Sequence, residues 1–408
     1  MASAIQTKIL KPPCAAEPPL SGTQPVSGAS PLPMSGLIAA IATISVAGIA
    51  LGHSLPLFSI LLESYGAKDG TIGLNAGTAA IGSVIAAPFY PAILKALGIR
   101  RLLLVCLVVM IAAYLGLYAV GDNVALWFPL RFVIGFAATG LFVGSEIWIN
   151  GLAPDHLRGR IIGVYGTFLA LGFSLGPLLI DLVGYEGFAP FAVAIAIFTA
   201  ATVPVVVAGT PPASPPDAAS GFFKLLPRAP ATFSAPMLFA GIEAAVLVFL
   251  PLLAIERGWG PSIGAITVTI YGLGIVVAQY PIGLLAERLG YARSLWLGAV
   301  LSALGAVTFA MINWSLGLTY VTLFIWGGVL AGLYTVGLSL VGDRFGPQTR
   351  EAANTGFVFA YGMGAMLGPA IAGLVRQAYG ARGLDIFLIV ALTAYAILTW
   401  QRRRAEIP

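Results

Sequence analysis

The chain has 408 residues, of which 59% are hydrophobic and only 9% are charged, and its mean hydropathy is +0.95. A soluble globular protein carries about 25% charged residues, so this chain lacks the charge that a water-exposed surface requires. The composition excludes an ordinary soluble enzyme and a nucleic-acid-binding protein. The only two cysteines, Cys14 and Cys106, exclude a scaffold of disulfide bonds. The composition therefore indicates a protein whose solvent is the lipid bilayer.

The chain contains repeated apolar runs of the length that a membrane helix needs. A bilayer core of about 30 Å requires about 20 mostly apolar residues per helix. These runs are apolar on all sides, unlike the alternating segments of a membrane β-barrel. We therefore predict an all-α integral membrane protein with twelve transmembrane helices, near residues 35–62, 71–93, 102–120, 124–150, 161–183, 188–209, 235–256, 262–286, 294–313, 317–342, 353–376 and 383–400.

Two Pro-rich segments lie outside these runs. Residues 1–34 lack the basic start and the apolar stretch of a signal peptide, and we expect a disordered cytoplasmic tail. Residues 210–234 are expected to form a cytoplasmic linker. This linker would separate an N-terminal six-helix bundle, residues 35–209, from a C-terminal six-helix bundle, residues 235–402.

The positions of the basic residues predict the orientation of the chain. Cytoplasmic loops of membrane proteins carry an excess of Lys and Arg. If both termini are cytoplasmic, 16 of the 21 Lys and Arg residues fall on that side. We therefore expect a multi-pass protein of the cell's inner or plasma membrane with both termini in the cytoplasm. The basic residues then serve topology, and we expect no nucleic-acid partner.

A constant separation of 192 residues relates the two predicted bundles. Gly172-x-x-x-Gly176-Pro177 recurs 192 residues later as Gly364-x-x-x-Gly368-Pro369. The same separation relates further pairs: Gly98 and Gly290, Arg101 and Arg293, Gly135 and Gly327, Gly140 and Gly332, and Arg158 and Arg350. Two parallel six-helix repeats with a binding site between them, near the midplane, are the architecture of many secondary transporters.

Two loops at equivalent places in the repeat carry related motifs. The loop after the eighth predicted span reads Gly283-Leu-Leu-Ala-Glu287-Arg288-Leu-Gly290-Tyr-Ala-Arg293. In the loop after the second span, Pro91 and Lys95 stand at the positions of Gly283 and Glu287. Gly98, Arg100 and Arg101 of that loop keep the glycine and the basic residues.

These motifs resemble those of the major facilitator superfamily over residues 35–402. The second loop matches the family's loop signature with Glu for Asp, whereas the first loop has lost its acid. Arg131-x-x-x-Gly135 resembles the family's buried-arginine motif, and Gly172-x-x-x-Gly176-Pro177 resembles its fifth-span antiporter motif. The stretch from Arg131 to Arg160 further resembles a YcaD-like bacterial branch. The resemblance implies the two-bundle fold and transport by alternating access.

The small residues and the loop charges suggest how the bundles would move. Gly172, Gly176 and Pro177, with Gly364, Gly368 and Pro369, would let the fifth and eleventh helices pack closely and rock, or would serve packing alone. The loop charges would form a cytoplasmic clasp, with Glu287 facing Arg158 and Arg160, and Lys95 facing Glu351 or Asp343. The alternative for the basic residues is simple anchoring on the positive-inside side. The full set of gate candidates is Lys95, Gly98, Arg101, Arg158, Arg160, Gly283, Glu287, Arg288, Gly290, Arg293, Arg350 and Glu351.

Four ionisable residues fall inside predicted spans: His53, Arg131, Glu146 and Glu243. Such residues cost roughly 2.5–3.5 kcal/mol on insertion scales and are functional candidates. A carboxylate in a low-dielectric cavity readily takes up a proton, so Glu146 and Glu243 are the proton-coupling candidates, with Arg131 and His53 beside them. The alternatives are that either acid caps a helix or pairs near the inner interface, and that His53 is a hydrogen-bonded spectator.

Polar and aromatic residues at similar depth are candidates to line the substrate cavity: Asn75, Trp148, Asn150, Tyr271, Gln279, Trp326, Tyr334 and Tyr361. No Walker A motif, His-Glu-x-x-His motif or cysteine cluster occurs, so we expect no cofactor and no metal. Gly260-Pro-Ser262-Ile-Gly264 matches a hydrolase motif but follows no strand, and we expect no enzymatic activity.

The sequence predicts a secondary active transporter that works as a monomer in the lipid bilayer. Its expected mode is proton-coupled antiport, with export of a small organic molecule. One alternative is a symporter or facilitator that imports a metabolite. Another is a transporter-like protein that senses or assembles without moving solute, which the altered loop at Lys95 favours and the intact loop at Glu287 opposes.

Overall fold

The computed structural model of the protein describes residues 34–154, 157–208, 222–312 and 315–402, with only the backbone described at residues 159, 347, 348 and 351. The predicted tail, apart from Met34, and most of the predicted linker lie outside this range. Throughout the described part the regular elements are helices, and no strand occurs. The helices are α1 Met34–Ser64, α2 Asp69–Ala86, α3 Tyr90–Val120, α4 Val124–Leu152, α5 Arg158–Leu175, α6 Leu178–Val183, α7 Ala189–Val207, α8 Pro230–Glu256, α9 Gly260–Leu289, α10 Tyr291–Met311, α11 Leu316–Arg344, α12 Pro347–Tyr379 and α13 Arg382–Arg402, with 3-10 turns at Phe222–Lys224 and Leu226–Arg228.

Ten of the described helices are long and apolar enough to cross a membrane: α1, α3, α4, α7, α8, α9, α10, α11, α12 (within Ala352–Tyr379) and α13. The helices α2 and α5, with 18 residues each, are not among these ten. Because each of the ten supplies a full apolar run, the chain is a multi-pass membrane protein.

Two predicted spans have different bounds in the structure. The fifth span, expected over 161–183, is divided into α5 and α6 at Gly176 and Pro177. Proline has no backbone N–H and its ring clashes with the preceding turn, which explains the interruption. The second span ends at Ala86 rather than at residue 93, and α3 begins with a short helical segment at Tyr90 that breaks at Gly98. The longer part of α3 follows this break and begins close to the expected residue 102.

The 192-residue repeat of the sequence recurs in the contacts between helices. A Cβ atom on Gly172 would lie 2.8 Å from the carbonyl oxygen of Ser45, and one on Gly364 would clash with the carbonyl oxygen of Met237. Met237 lies 192 residues after Ser45, as Gly364 lies 192 residues after Gly172. The same relation holds for Gly176 against Ile49 and Gly368 against Gly241, and for Gly135 against Ala79 and Gly327 against Tyr271. The α1–α5 and α8–α12 pairs thus pack backbone to backbone in the same way, because glycine leaves no side chain between them.

The repeat also recurs in the backbone of the two signature loops. Gly98 interrupts α3 with a φ of 73°, and Gly290 ends α9 with a φ of 84°. Glycine is the residue that adopts positive φ without a steric penalty. The two glycines therefore make the same break at equivalent points of the two halves, α1–α7 and α8–α13.

The helix ends define two faces of the molecule. We call the face with the start of α1, the end of α13 and the start of α8 the terminal face. The opposite face, with the α1–α2 loop Tyr65–Lys68 and the start of α9 at Gly260, is called the distal face. These terms fix the positions of the site residues below.

Candidate functional site

Glu243 lies in α8 among aromatic side chains of the second half. The hydroxyl of Tyr361 on α12 donates a hydrogen bond of 2.9 Å to Oε2 of Glu243. The ring of Tyr361 packs at 5.9 Å from that of Tyr334 and at 6.4 Å from that of Phe239. The charge of Glu243 also acts on Tyr271, whose buried hydroxyl has no hydrogen-bond partner. The structure therefore brings Glu243 together with three of the predicted cavity residues.

Glu146 lies on α4 in the first half and is exposed, not buried as expected. It lies six residues before the end of α4, toward the terminal face. Its charge reaches Tyr165 on the same half and Tyr334 on the other half. Tyr334 is therefore within electrostatic range of both Glu146 and Glu243. The two carboxylates flank the space between the halves without touching.

Arg131 lies on α4 near the distal face and is 2% exposed. Its guanidinium stacks over the ring of Phe58 at 5.0 Å. Phe58 in turn packs against Tyr114 and Trp127, each with ring centroids 5.5 Å away. Among the described residues no carboxylate forms an ion pair with Arg131, and its Nε atom has no hydrogen-bond partner. A cation–π contact contributes about 2 kcal/mol when desolvated, whereas burying a charge costs several kcal/mol. The contact with Phe58 therefore compensates only part of the cost of burying Arg131.

Arg131 and Asn75 line one small cavity between the two halves. Its volume is about 10 Å³, which is room for about one water-sized atom. The other residues around it are Leu55, Phe58, Ser59, Leu62, Ile72, Ala76 and Val248. Val248 belongs to α8, so the cavity is closed by the second half. The Nδ2 atom of Asn75 is buried there without a hydrogen-bond partner.

His53 is separate from both clusters. It is fully buried in α1, and its Nε2 atom lies 3.2 Å from the carbonyl oxygen of Pro190, to which it would donate a hydrogen bond. Its backbone N also lies against Gly176. This environment agrees with the alternative role of a hydrogen-bonded spectator, which ties α1 to α7.

The remaining cavity candidates are dispersed. Trp326 is packed within the second half, where its Nε1–H donates to the carbonyl of Ser302 at 2.9 Å. Trp148 is fully buried against α1 near Gly36. Asn150 donates to the backbone carbonyl of Glu146 at 2.9 Å, and Gln279 is exposed. Of these side chains only Trp326 reaches the Glu243 cluster, through its ring contact of 5.8 Å with Tyr271.

The sequence did not single out Arg376, which is the centre of an ion-pair cluster at the distal face. This arginine of α12 is 1% exposed, and it pairs with Glu256 of α8 at 2.5 Å and with Asp69 of α2 at 3.4 Å. Its guanidinium also lies 5.3 Å from the ring centre of Phe249. The charge of Glu63, at the end of α1, belongs to the same cluster. The sequence did contain a signal for this cluster. Three acids, Glu63, Asp69 and Glu256, lie at the distal ends of the first, second and seventh predicted spans, on the same side as Arg376.

Arg257 follows this cluster, one residue beyond the end of α8. Burial lowers the pKa of Arg257 to about 9, and the carboxylates of Asp385 and Glu256 act in the opposite direction. The residue therefore keeps its positive charge at neutral pH. It adds a second cation to the acid-rich distal face.

The distal ends of the two halves are in contact. Cβ atoms on Gly73 and Gly77 of α2 would clash with the carbonyl oxygens of Pro369 and of Met366 on α12. The backbone N–H of Gly70 donates to the side chain of Gln377 at 3.2 Å. A second distal contact joins the halves at α6 and α9, where Ser262 of α9 donates a hydrogen bond to Asp181 of α6. Together with Arg376, these contacts close the distal side.

The helices that meet distally part toward the terminal face. Ser174 of α5 lies against Gly272 of α9. Gly163 and Gly283 each lie 11 residues, or about three turns, nearer the terminal face on the same sides of these helices. A Cβ atom on either glycine would have open space around it. The contact at Ser174 and Gly272, with open space around Gly163 and Gly283, indicates that α5 and α9 lie farther apart toward the terminal face than near the distal face.

The predicted clasp residues lie toward the terminal face. The exposed ones among the described side chains are Lys95, Arg101, Arg158, Arg160, Glu287, Arg288, Arg293 and Arg350. No ion pair joins Glu287 to another described residue, and the side chain of Glu351 lies outside the described part. Arg350 donates to the backbone carbonyl of Gly342 at 3.0 Å. A clasp at this face stays a prediction for the conformation in which the terminal side is closed.

Comparisons with known proteins give this architecture a family. The family model described as Major Facilitator Superfamily matches residues 37–268 and 231–406. The MFS-type transporter YfkF of Bacillus subtilis strain 168 is 27% identical over 361 residues, covering 86% of this chain and 91% of YfkF. The MFS-type transporter YcaD of Salmonella typhimurium strain LT2 is 22% identical over 378 residues, covering 91% and 96%.

Solved structures of transporters share the fold. The nucleoside transporter NupG aligns with a TM-score of 0.72 at 15% identity, over 92% of this chain and 99% of that structure. A bacterial homologue of the human lysosomal transporter Spinster, inward-facing and unoccupied, aligns with a TM-score of 0.73 at 13% identity, over 93% and 99%. At these identities the likeness concerns the fold alone. With its family model matched along nearly the whole helical region, the chain belongs to the major facilitator superfamily and is a membrane transporter similar to YcaD, not an enzyme.

Proposed function

We propose that the protein is a proton-coupled secondary transporter that exports a small organic molecule in exchange for protons. The observation that carries this proposal is Glu243, a carboxylate inside a membrane helix whose hydrogen bond comes from Tyr361. An ionisable group at such a depth is costly and marks a functional pathway. The surrounding aromatic residues, Phe239 and Tyr334, keep the local medium of low dielectric.

The proposed topology has twelve spans in two six-helix bundles. The helices α2 and α5–α6 would complete the ten apolar helices, and the matching contacts at Gly172 and Gly364 support a repeat with one copy in each bundle. The positive-inside rule supports a cytoplasmic location of the terminal face. The conformation described above would then be open to the cytoplasm, in an inner or plasma membrane, and a monomer would suffice for transport.

The proposed role of Glu243 is to carry a proton between the two faces. An unpaired ionised carboxylate is costly in an apolar interior, so closing the site around Glu243 favours its neutral form. The hydroxyl of Tyr361 would stabilise the ionised form while the site is open to water. Glu146, exposed at the opening, would pass protons between the terminal face and the interior. The Glu146 carboxylate has this access because it is exposed near the end of α4, toward the terminal face.

Support for antiport comes from the fifth-span motif. Gly176 lies against the backbone of α1, and Pro177 divides α5 from α6. This places a backbone contact and a helix break beside each other, which suits a helix that rocks between two positions. A symporter or facilitator would share the fold, and the transport experiment distinguishes the three modes.

Transport into proteoliposomes under an imposed pH gradient tests the proposal. A mixture of organic compounds would be offered, and the accumulated compounds identified by mass spectrometry. We expect accumulation against the concentration gradient when protons leave the vesicles, and its loss in Glu243→Gln. Glu186→Gln is the matched control, because Glu186 is an exposed acid of a distal loop. Accumulation of the compound when protons enter the vesicles would establish symport. Equilibration of the compound at a rate and extent independent of the pH gradient would establish a facilitator.

A further inference from the structure

We propose that Arg131 and Asn75 form the subsite that holds an anionic group, such as a carboxylate, of the transported molecule. This inference rests on the proposed transport function and adds the chemical class of the substrate. It concerns the small cavity between α1, α2, α4 and α8 near the distal face. It assigns Arg131 a role in substrate binding, where the sequence pattern alone suggested proton coupling.

The first argument is that no carboxylate among the described side chains forms an ion pair with Arg131. The side chain is 2% exposed and stacks over Phe58 at 5.0 Å. Two described carboxylates near the distal face, Asp69 and Glu256, are paired with Arg376. Removing one partner of a buried ion pair is strongly destabilising because the remaining charge is uncompensated. A buried arginine in this state is therefore poised to bind an anion.

The second argument is that the polar atoms in this cavity are unused donors. Nε of Arg131 and Nδ2 of Asn75 are both buried there without a hydrogen-bond partner. The hydroxyl of Ser59 already donates to the carbonyl of Pro56 at 2.8 Å. Arginine has only donors, and its planar fork fits a carboxylate or a related oxyanion. Both side chains therefore have a donor available for a hydrogen-bond acceptor, and the charge of Arg131 favours an acceptor that is negatively charged.

The third argument is the position of the cavity on the transport path. Its volume of about 10 Å³ admits about one water-sized atom, such as one oxygen of an anionic group, and not a whole molecule. Val248 of α8 closes it from the second half, five residues beyond Glu243, which is about 7.5 Å along the helix axis. The anionic group would occupy the distal end of the site, and the rest of the molecule would extend toward the opening at the terminal face.

The main competing partner for Arg131 is an acid of the protein itself. Glu63 lies four residues after Ser59, so the two residues share one face of α1. In this conformation the charge of Glu63 interacts with Asp69, Glu256 and Arg376. If the distal side opens, Glu63 could become the partner of Arg131. The double variant of Arg131 and Glu63 distinguishes this possibility from an anionic substrate.

The test is thermal stabilisation of the purified full-length protein by three probes of matched shape: benzoate, benzamide and benzylamine, each at 10 mM. A parallel panel of acetate, succinate and benzenesulfonate extends the anions. We expect at least one anion to raise the melting temperature of the wild-type protein by 2 °C or more, while its neutral or cationic counterpart does not. Arg131→Gln should abolish this shift, and Asn75→Leu should reduce it by half or more. Arg402→Gln, at the exposed end of α13, is the control for loss of one positive charge.

Three outcomes would overturn the inference: no panel anion stabilises the wild type, Arg131→Gln responds as the wild type does, or neutral probes stabilise equally well. Should Arg131→Gln fail to fold, Arg131→Lys replaces it, and an unchanged anion response of Asn75→Leu then counts against the subsite. If Glu63→Gln restores the stability and the transport of Arg131→Gln, the partner is internal and the inference is wrong. Proton-coupled transport by the wild type is measured separately, so its presence with no anion response refutes the subsite alone.

Discussion

The hydroxyl of Tyr361 donates a 2.9 Å hydrogen bond to the carboxylate of Glu243, which joins α12 to α8. In the proposed repeat these helices correspond to α5 and α1, yet no equivalent pair exists there. The residues 192 positions earlier are Leu169 and Leu51. The two halves therefore share their helix packing but not their chemistry, and the carboxylate belongs to one half only.

Tyr361→Phe should move the pH dependence of transport to more alkaline pH. The phenol hydrogen bond stabilises the ionised form of Glu243, so its removal favours the protonated form. A hydrogen bond to a charged group contributes about 1.5–3 kcal/mol, which corresponds to about one to two pH units. The measurement is the initial rate of transport between pH 5 and pH 9. Tyr379→Phe, which changes a tyrosine that is 66% exposed, should leave the profile unchanged.

Arg376→Gln should open the distal side. Its loss leaves the carboxylates of Asp69 and Glu256 without their cation. Breaking a fully buried ion pair costs about 3–5 kcal/mol, and the cost here is smaller because both acids are partly exposed. We expect Ile72→Cys, a buried position between the halves, to react faster with a membrane-impermeant maleimide in this variant. The background would carry Cys14→Ala and Cys106→Ala. If Ile72→Cys is labelled at the same rate with and without Arg376→Gln, the cluster does not hold the distal side closed.

The exposed Arg382 provides the matched control for that experiment. It lies at the start of α13, on the same face as Arg376. Arg382→Gln removes the same charge, and labelling at Ile72→Cys should stay as in the parent. An equal increase in both variants would point to general electrostatics rather than to the buried ion pair.

Gly176→Ala should destabilise the protein, whereas Gly166→Ala should not. A Cβ atom on Gly176 would clash with the carbonyl oxygen of Ile49, but one on Gly166 meets nothing within 4 Å. Overpacking of this kind costs about 1–3 kcal/mol, while replacing a helical glycine in open space stabilises by about 0.5–1 kcal/mol. The melting temperatures of the two variants in detergent test this directly. A higher melting temperature for Gly176→Ala than for Gly166→Ala would refute the close α1–α5 contact.

The terminal clasp predicts a charge-swap rescue. Lys95→Glu and Glu351→Lys should each slow transport, because each places like charges at the face that must close, and the double variant should recover most of the rate. The assay is transport in proteoliposomes with the compound identified in the gradient experiment. If the double variant transports no faster than the slower of the two single variants, the clasp is refuted and Lys95 serves topology only. Lys68→Glu, in a distal loop, is the control.

Much of the fold was predictable because it depends on patterns along the chain. The 192-residue separation predicted the pairing of Gly172 with Gly364, and the structure shows the same backbone contact at both glycines. Arg131 was predicted to be buried in a span, and it is. Tyr271, Tyr334 and Tyr361 were predicted by depth to line a cavity; Tyr361 bonds to Glu243, and the charge of Glu243 acts on all three. Depth along a helix is readable from sequence because each residue adds a fixed rise.

The rest depends on which helices separate and which meet. Glu146 is exposed near the end of α4, and no sequence pattern encodes the conformation in which the halves rest. Arg376 was not singled out because its burial depends on packing between α2, α8 and α12. The division of α5 from α6 was missed because Pro177 was treated as a bend within one span.

The most direct test of proton coupling is the pH inside proteoliposomes, reported by entrapped pyranine. A compound found to be transported in the gradient experiment would be added outside the vesicles, with no pH gradient imposed. Antiport predicts that inward movement of the compound acidifies the external medium and raises the internal pH, and that Glu243→Gln abolishes the signal while Glu186→Gln keeps it. Transport of the compound by Glu243→Gln with an unchanged pyranine signal would contradict the proposed role of Glu243.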